Sequence, residues 1–159
     1  MDTQLEMRDE AMIERMDIRN PRVAEQVLNL QRSAYMIEAE LIGYSDLPPL
    51  KDTIEALQQC GTFYGYLIQN KLCGAIAFKT EGGVIDIYRL MVHPDHFKKE
   101  IAKMLLNVIE SENRVKKIIV STASNNTPAV QFYIKHGFQV VKDEIINDRL
   151  SLTHFEKML

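Results

Sequence analysis

The chain has 159 residues, enough for one domain that buries about two thirds of the surface its unfolded form exposes. Apolar residues make up 46% and charged residues 26%, a globular balance that leaves little room for long disorder. A net charge of −3 argues against a general electrostatic grip on nucleic acid or on an anionic membrane.

No apolar run reaches the roughly 18 residues of a membrane span. The opening stretch "MDTQLEMRDE" lacks the apolar core of a signal peptide, so a cytoplasmic protein is expected, with residues 1–10 a flexible segment ahead of a single domain over 11–159. Cys60 and Cys73 are too few for a disulfide scaffold and have no CxxC spacing, so both read as core thiols.

Along the chain, "AMIERM" alternates weakly, as a strand does. "NPRVAEQVLNLQRSAYMIEAEL" opens with Asn20 as N-cap and Pro21 at the first helical position, then sets Val23, Val27, Leu30, Ala34, Ile37 and Leu41 at spacings of four and three, which predicts a helix. "GYSDLPPL" is a loop, and "LKDTIEALQQCG" reads as a shorter helix closed by Gly61. "TFYGYLIQ", "LCGAIAFK" and "VIDIYRLMV" are strand-like and are joined by hairpin-length connections, an antiparallel meander. Residues 101–109 carry one apolar helical stripe, and "KKIIVSTA" has the β-branched character of a buried strand. "TPAVQFYIKHG" gives another short helix ended by Gly137, and "FQVVKDEII" and "LSLTHF" give two closing strands. The expected class is α/β (α+β), a mixed sheet of about seven strands with about four helices around it.

Ligands of open sheets with parallel neighbours bind beyond the carboxyl ends of the strands, where helix N-termini also point. "VHPDHFKKEIA" and "SNNTPAVQFY" both leave strands in that direction. Two lysines at a helix start sit badly beside its partial positive charge unless an anion lies between. Main-chain N–H groups, Lys98, Lys99 and Asn126 therefore point to a phosphate or pyrophosphate. The plainer alternative is that Asp95 caps the helix and the lysines are merely solvated. His93 and His96 share a two-residue gap but lack an evident third ligand, so no metal is expected.

"RLMVHPDHFKKEIAKMLL" resembles the acyl-CoA-binding motif of the GNAT superfamily of N-acetyltransferases. "NNTPAVQFYIKHGF" resembles that family's second motif, matched at Asn126, Ala129, Tyr133, Gly137 and Phe138. The order of the motifs and of the strands and helices also agrees from about residue 11 onward. The resemblance implies a mostly antiparallel sheet whose central parallel pair splays, with the pantetheine arm of coenzyme A in the gap. Leu90, Met91 and Val92 would pair with that arm. The turn of Phe97, Lys98, Lys99, Glu100, Ile101 and Ala102 would wrap the pyrophosphate, with Asn126 and Tyr133 also at the cofactor.

The activity so implied is transfer of an acetyl group from acetyl-CoA to a primary amine of a small molecule or peptide, by direct attack in a ternary complex. Tyr133 occupies the family's general-acid position, and a main-chain N–H at Leu90 is the family's oxyanion donor. Asp86, Tyr88, Glu38 and Glu40 are open candidates for the base, as is a water relay. Tyr44, Asp46, Glu38 and Arg89 are candidates for the acceptor pocket. The acceptor itself is not identified, and edge strands with eight methionines make a homodimer a possible assembly.

Two positions depart from the family pattern: Glu100 replaces the glycine at the turn–helix junction, and Phe97 replaces the usual arginine or glutamine. A carboxylate about 5 Å from a phosphate costs roughly 1 to 3 kcal/mol, depending on the effective dielectric, or about five- to a hundredfold in affinity. A working transferase with weakened cofactor binding is the expectation. A non-catalytic acyl-CoA-binding or regulatory module is the alternative.

Overall fold

The computed structural model describes residues 11–97, 100–112 and 114–159. The expectations for Lys98, Lys99 and residues 1–10 lie outside the described residues.

Strands β1 (Ala11–Met16), β2 (Thr62–Ile68), β3 (Lys71–Glu81), β4 (Val84–Val92), β5 (Lys117–Ala123), β6 (Gln139–Asn147) and β7 (Leu150–Met158) form one sheet in the order β1-β2-β3-β4-β5-β7-β6. Among the described residues only β4 and β5 pair in parallel, over Val84↔Lys117 to Ile87↔Val120; the other neighbours run antiparallel. The hairpin between β3 and β4 turns on Gly82 and Gly83, with φ of 59° and 79°. Two successive positive φ values match the twist of the flanking strands.

Helix α1 (Pro21–Ile42) starts at Asn20, whose side chain accepts from the Arg22 N–H, and ends at Gly43 in the left-handed region. Helix α2 is short (Ile54–Gln58), α3 spans Ile101–Glu110 and α4 spans Thr127–Lys135. The sequence between the prolines and Gly61 is not one helix as expected. A 3-10 turn covers Pro48–Lys51, Asp52 is extended, and the Thr53 side chain accepts from the Ala56 N–H to restart the chain as α2. The interruption has a cause: the Asp52 carboxylate takes hydrogen bonds from Gln31 of α1 (2.7 Å) and Arg89 of β4 (3.1 Å), tying this segment to the sheet.

Each sheet face has its own core. Ala75, Ala77 and Met91 meet Ala24, Val27 and Leu30 of α1 and Leu57 of α2 on one side. Ile76, Phe78, Ile85 and Ile87 meet Ile101, Leu105 and Ile109 of α3 and Tyr133 of α4 on the other. The period-two alternation of the strands thus buries both faces. Cys60 and Cys73 are buried and unbridged.

Candidate active site

The site begins where the parallel pair comes apart. β4 and β5 stop pairing after Ile87↔Val120. At the same level the β3–β4 register runs from Phe78↔Ile87 to Ala77↔Arg89, so Tyr88 has no partner and forms a bulge. A bulge bends its strand and shifts the alternation by one. Accordingly Ile85 and Ile87 face the α3–α4 core, whereas beyond Tyr88 it is Leu90 and Val92 that pack there. Met91 turns to the α1 side. The strand is redirected without exposing its apolar residues.

A cavity of about 650 Å³ opens at this divergence. Leu90, Met91 and Val92 line it from β4, Phe97, Glu100, Ile101 and Ala102 from the turn and α3, and Asn126 and Tyr133 from α4. α1 closes the opposite wall with Tyr35 and Glu38. All the described residues expected at the cofactor therefore share one cavity.

Asn126 is the N-cap of α4: its Oδ1 accepts from the Ala129 N–H at 3.2 Å. Its Nδ2 donates to the Glu38 carboxylate, so one amide joins the helix N-terminus to α1. Tyr133 is 6% exposed and ringed by Phe132, Phe138 and Phe155 at centroid distances of 5.3, 5.3 and 5.5 Å. Burial, and secondarily Tyr35 and Glu38, push the Tyr133 phenol well above its ordinary range. It is held neutral, as a proton donor must be.

Tyr35, absent from the sequence-based candidates, is also held neutral, by burial first and then by Glu38. Its hydroxyl hydrogen-bonds the Leu90 main chain, an interaction that favours the ionised phenol. The main chain is hence the donor, from the Leu90 N–H to the Tyr35 oxygen on the α1 wall of the cavity. Tyr35 and Glu38 lie three apart on one helix, so a named Glu38 was the signal that could have found Tyr35.

The base candidates separate. Glu38 lines the cavity, and burial raises its carboxyl pKa against the pull of Asn126. Asp86 and Tyr88 lie off the cavity lining, where Lys79 sits 4.9 Å over the Tyr88 ring; burial raises the Asp86 carboxyl while Lys79 lowers it. Glu40 is exposed.

The acceptor-pocket candidates other than Glu38 fall elsewhere. Arg89 is paired with Asp52 at 3.1 Å, Asp46 pairs with Lys51, and the Tyr44 hydroxyl accepts from Asn147 at 3.2 Å. Each is engaged in holding loops. The His93 ring accepts from the Asp95 N–H at 3.1 Å and heads a 3-10 turn, Pro94–His96, so Asp95 does not cap α3. Among the described residues no three His, Cys, Asp or Glu side chains are grouped as a metal would need.

The family model described as "Acetyltransferase (GNAT) domain" matches residues 23–159. The chain belongs to the GNAT acetyltransferase family. A UPF0157 protein, YqkA of Bacillus subtilis (strain 168), is 39% identical over 130 residues, which are 80% of this chain and 38% of that one. An IAA acetyltransferase of Azospirillum brasilense is 35% identical over 69 residues, 42% of this chain and 45% of its own. This chain thus spans less than half the length of the curated relatives it matches. The fold is similar to that of the PaiA N-acetyltransferase of Thermoplasma acidophilum solved with coenzyme A, with a TM-score of 0.75, 21% identity and coverage of 94% of this chain and 99% of that chain.

Set against the GNAT pattern, Glu100 occupies a position whose backbone itself calls for glycine. It is the N-cap of α3 with φ 57° and ψ 24°, and its side chain makes no capping hydrogen bond. A side chain in this left-handed region costs roughly 1–2 kcal/mol. The glycine expected there therefore serves the turn as well as the approach of a phosphate.

Proposed function

We propose that this GNAT domain transfers an acetyl group from acetyl-CoA to a primary amine of a small molecule or peptide, by direct attack within a ternary complex. The observation that carries this reading is the convergence of the Leu90 main-chain donor, Asn126 and Tyr133 on one cavity at the splayed end of the β4–β5 pair.

The pantetheine arm lies along Leu90–Val92, and the pyrophosphate rests on the turn from Phe97 to Ala102, with Lys98 and Lys99 adding charge. The amine nitrogen attacks the thioester carbonyl, the Leu90 N–H turns from the Tyr35 hydroxyl to the developing oxyanion, and the carbon–sulfur bond breaks as Tyr133 gives its proton to the departing thiolate. One preorganised oxyanion donor is worth about 3–4 kcal/mol, and a positioned acid about a hundred- to ten-thousandfold. The exposure of β6, where Ile145 is 81% accessible, supports a homodimer as the assembly.

Release of the coenzyme A thiol from acetyl-CoA over a panel of polyamines, aminoglycosides, amino acids and peptides tests the reading. Tyr133→Phe is expected to lower kcat about a hundredfold or more with acetyl-CoA affinity unchanged by calorimetry; undiminished turnover removes the acid role. The exposed Glu100 carboxylate beside the cavity favours a second reading, a non-catalytic acyl-CoA-binding module. That reading gains if acetyl-CoA binds and no amine in the panel is acetylated.

A further inference from the structure

Glu38 is the carboxylate on the α1 wall of the cavity, and the proposed transfer gives it no task. One oxygen, Oε1, accepts from Asn126, which leaves Oε2 for a second donor. Among the described residues no lysine or arginine forms an ion pair with it. A half-buried carboxylate is costly unless it is paired and hydrogen-bonded, so the wall is built to be completed by a cation from outside.

The same helix face tells what carries that cation. Ala34, Ile37, Glu38 and Leu41 all line the cavity and recur at the helical spacing of three and four. Ile37 is 39% exposed and Leu41 52% exposed: two large apolar side chains flank one carboxylate at an open mouth. A small polar amine would leave them in water. An apolar body bearing an ammonium group would cover them while its charge meets Glu38.

We propose that Glu38 binds the ammonium group of the acceptor and takes its proton, and that the acceptor is a primary amine on an apolar body lying along Ile37 and Leu41. The inference rests on the transferase reading above. The ammonium N–H proton passes to the Glu38 carboxylate, freeing the nitrogen lone pair. The nitrogen–carbon bond forms as the carbon–sulfur bond breaks; Tyr133 gives its proton to sulfur and regains one from the new amide nitrogen. The proton on Glu38 leaves to solvent, so one amide, one thiol and one proton are produced.

The pH dependence has a sign. Activity requires Glu38 ionised, so it rises as pH climbs through the Glu38 pKa. Burial moves that limb above the ordinary carboxylate range. The groups facing the same cavity are Tyr35 on α1, Tyr133, Lys135 and His136 toward the end of α4, and Glu100 and Lys103 at α3. Tyr35 and Tyr133 stay neutral across that range, since both phenols are raised.

The test compares wild type with Glu38→Gln, which keeps an oxygen to accept from Asn126. Benzylamine and tyramine serve as apolar-bodied probes and ethanolamine as the polar one. Benzylamine binding is titrated calorimetrically with coenzyme A present, and kcat/KM is followed against pH with acetyl-CoA saturating. In Glu38→Gln, benzylamine affinity should fall about tenfold or more and kcat/KM about a hundredfold. The acid limb should flatten and acetyl-CoA affinity should stay within about threefold.

A glutamine variant with wild-type amine affinity and an unchanged pH profile overturns the assignment of Glu38 and leaves the transferase reading standing. Equal loss of acetyl-CoA and amine affinity also overturns it, reducing Glu38 to a support for Asn126. Ethanolamine serving as well as benzylamine overturns the apolar body. Wild-type protein that acetylates none of the amines, including the wider panel, sinks the transferase reading and this inference together.

Discussion

At Glu100 two separable effects meet in one side chain. The residue stands at φ 57°, and its carboxylate lines the cavity at the N-terminus of α3. Glu100→Gly should relieve the backbone by about 1 kcal/mol, seen as a rise in Tm of about 2–4 °C. It should also tighten acetyl-CoA binding about five- to a hundredfold. Glu100→Ala removes the charge and keeps the Cβ, so it should gain affinity with little change in Tm. Glycine binding acetyl-CoA no better than wild type would show that neither bulk nor charge here limits the cofactor. Legibility at this scale was uneven. Asn126 and Tyr133 were found through a motif, because capping and burial are chemistry that residue type announces. Tyr35 was not, because what makes it part of the site is the direction of a main-chain donor on another strand.

Among the elements, those with unbroken periodicity were readable nearly to the residue. β4 was expected over 84–92 and is found at Val84–Val92, and α1 begins at its expected cap. The stretch from Leu50 to Gly61 departs from the expected helix because contacts 21 and 37 positions away, from Gln31 and Arg89 to Asp52, outweigh local helix preference. The seating of α3 also depends on a distant residue. Gly74 lies in β3, and a Cβ there would stand 2.6 Å from Ile101 Cγ2 and 3.2 Å from the Met91 carbonyl oxygen. The bare backbone lets the first turn of α3 descend onto β3 beside the cavity. Gly74→Ala should destabilise the fold by about 1–3 kcal/mol and push that turn outward, weakening acetyl-CoA binding as well. A variant with wild-type Tm and affinity would show that the helix has room to spare.

Taken whole, the molecule is a sheet with a separate core on each face and one place where both cores and both surfaces meet. Composition and alternation foretold the sheet, its strand number and its helices. They could not place the bulge, since Met91 continues the period-two alternation from Ile87 while Leu90 and Val92 resume it one residue later, and all three are apolar. Leu90 and Val92 follow Ile87 at intervals of three and two, and only the register with Ala77 and Phe78 reveals the extra residue.

That extra residue gives the molecule a spare length of backbone that can be cut out. Removing Tyr88 would bring Leu90 two places after Ile87, the interval of a regular strand, so every later side chain would keep its side. The kink would vanish, and β4 could zip to β5 through Ala123, gaining ladder hydrogen bonds. The expected product is a well-folded protein with the groove sealed: an intact circular dichroism spectrum, Tm no lower than the parent and acetyl-CoA uptake abolished. An unfolded deletion would mean instead that the fold needs its kink.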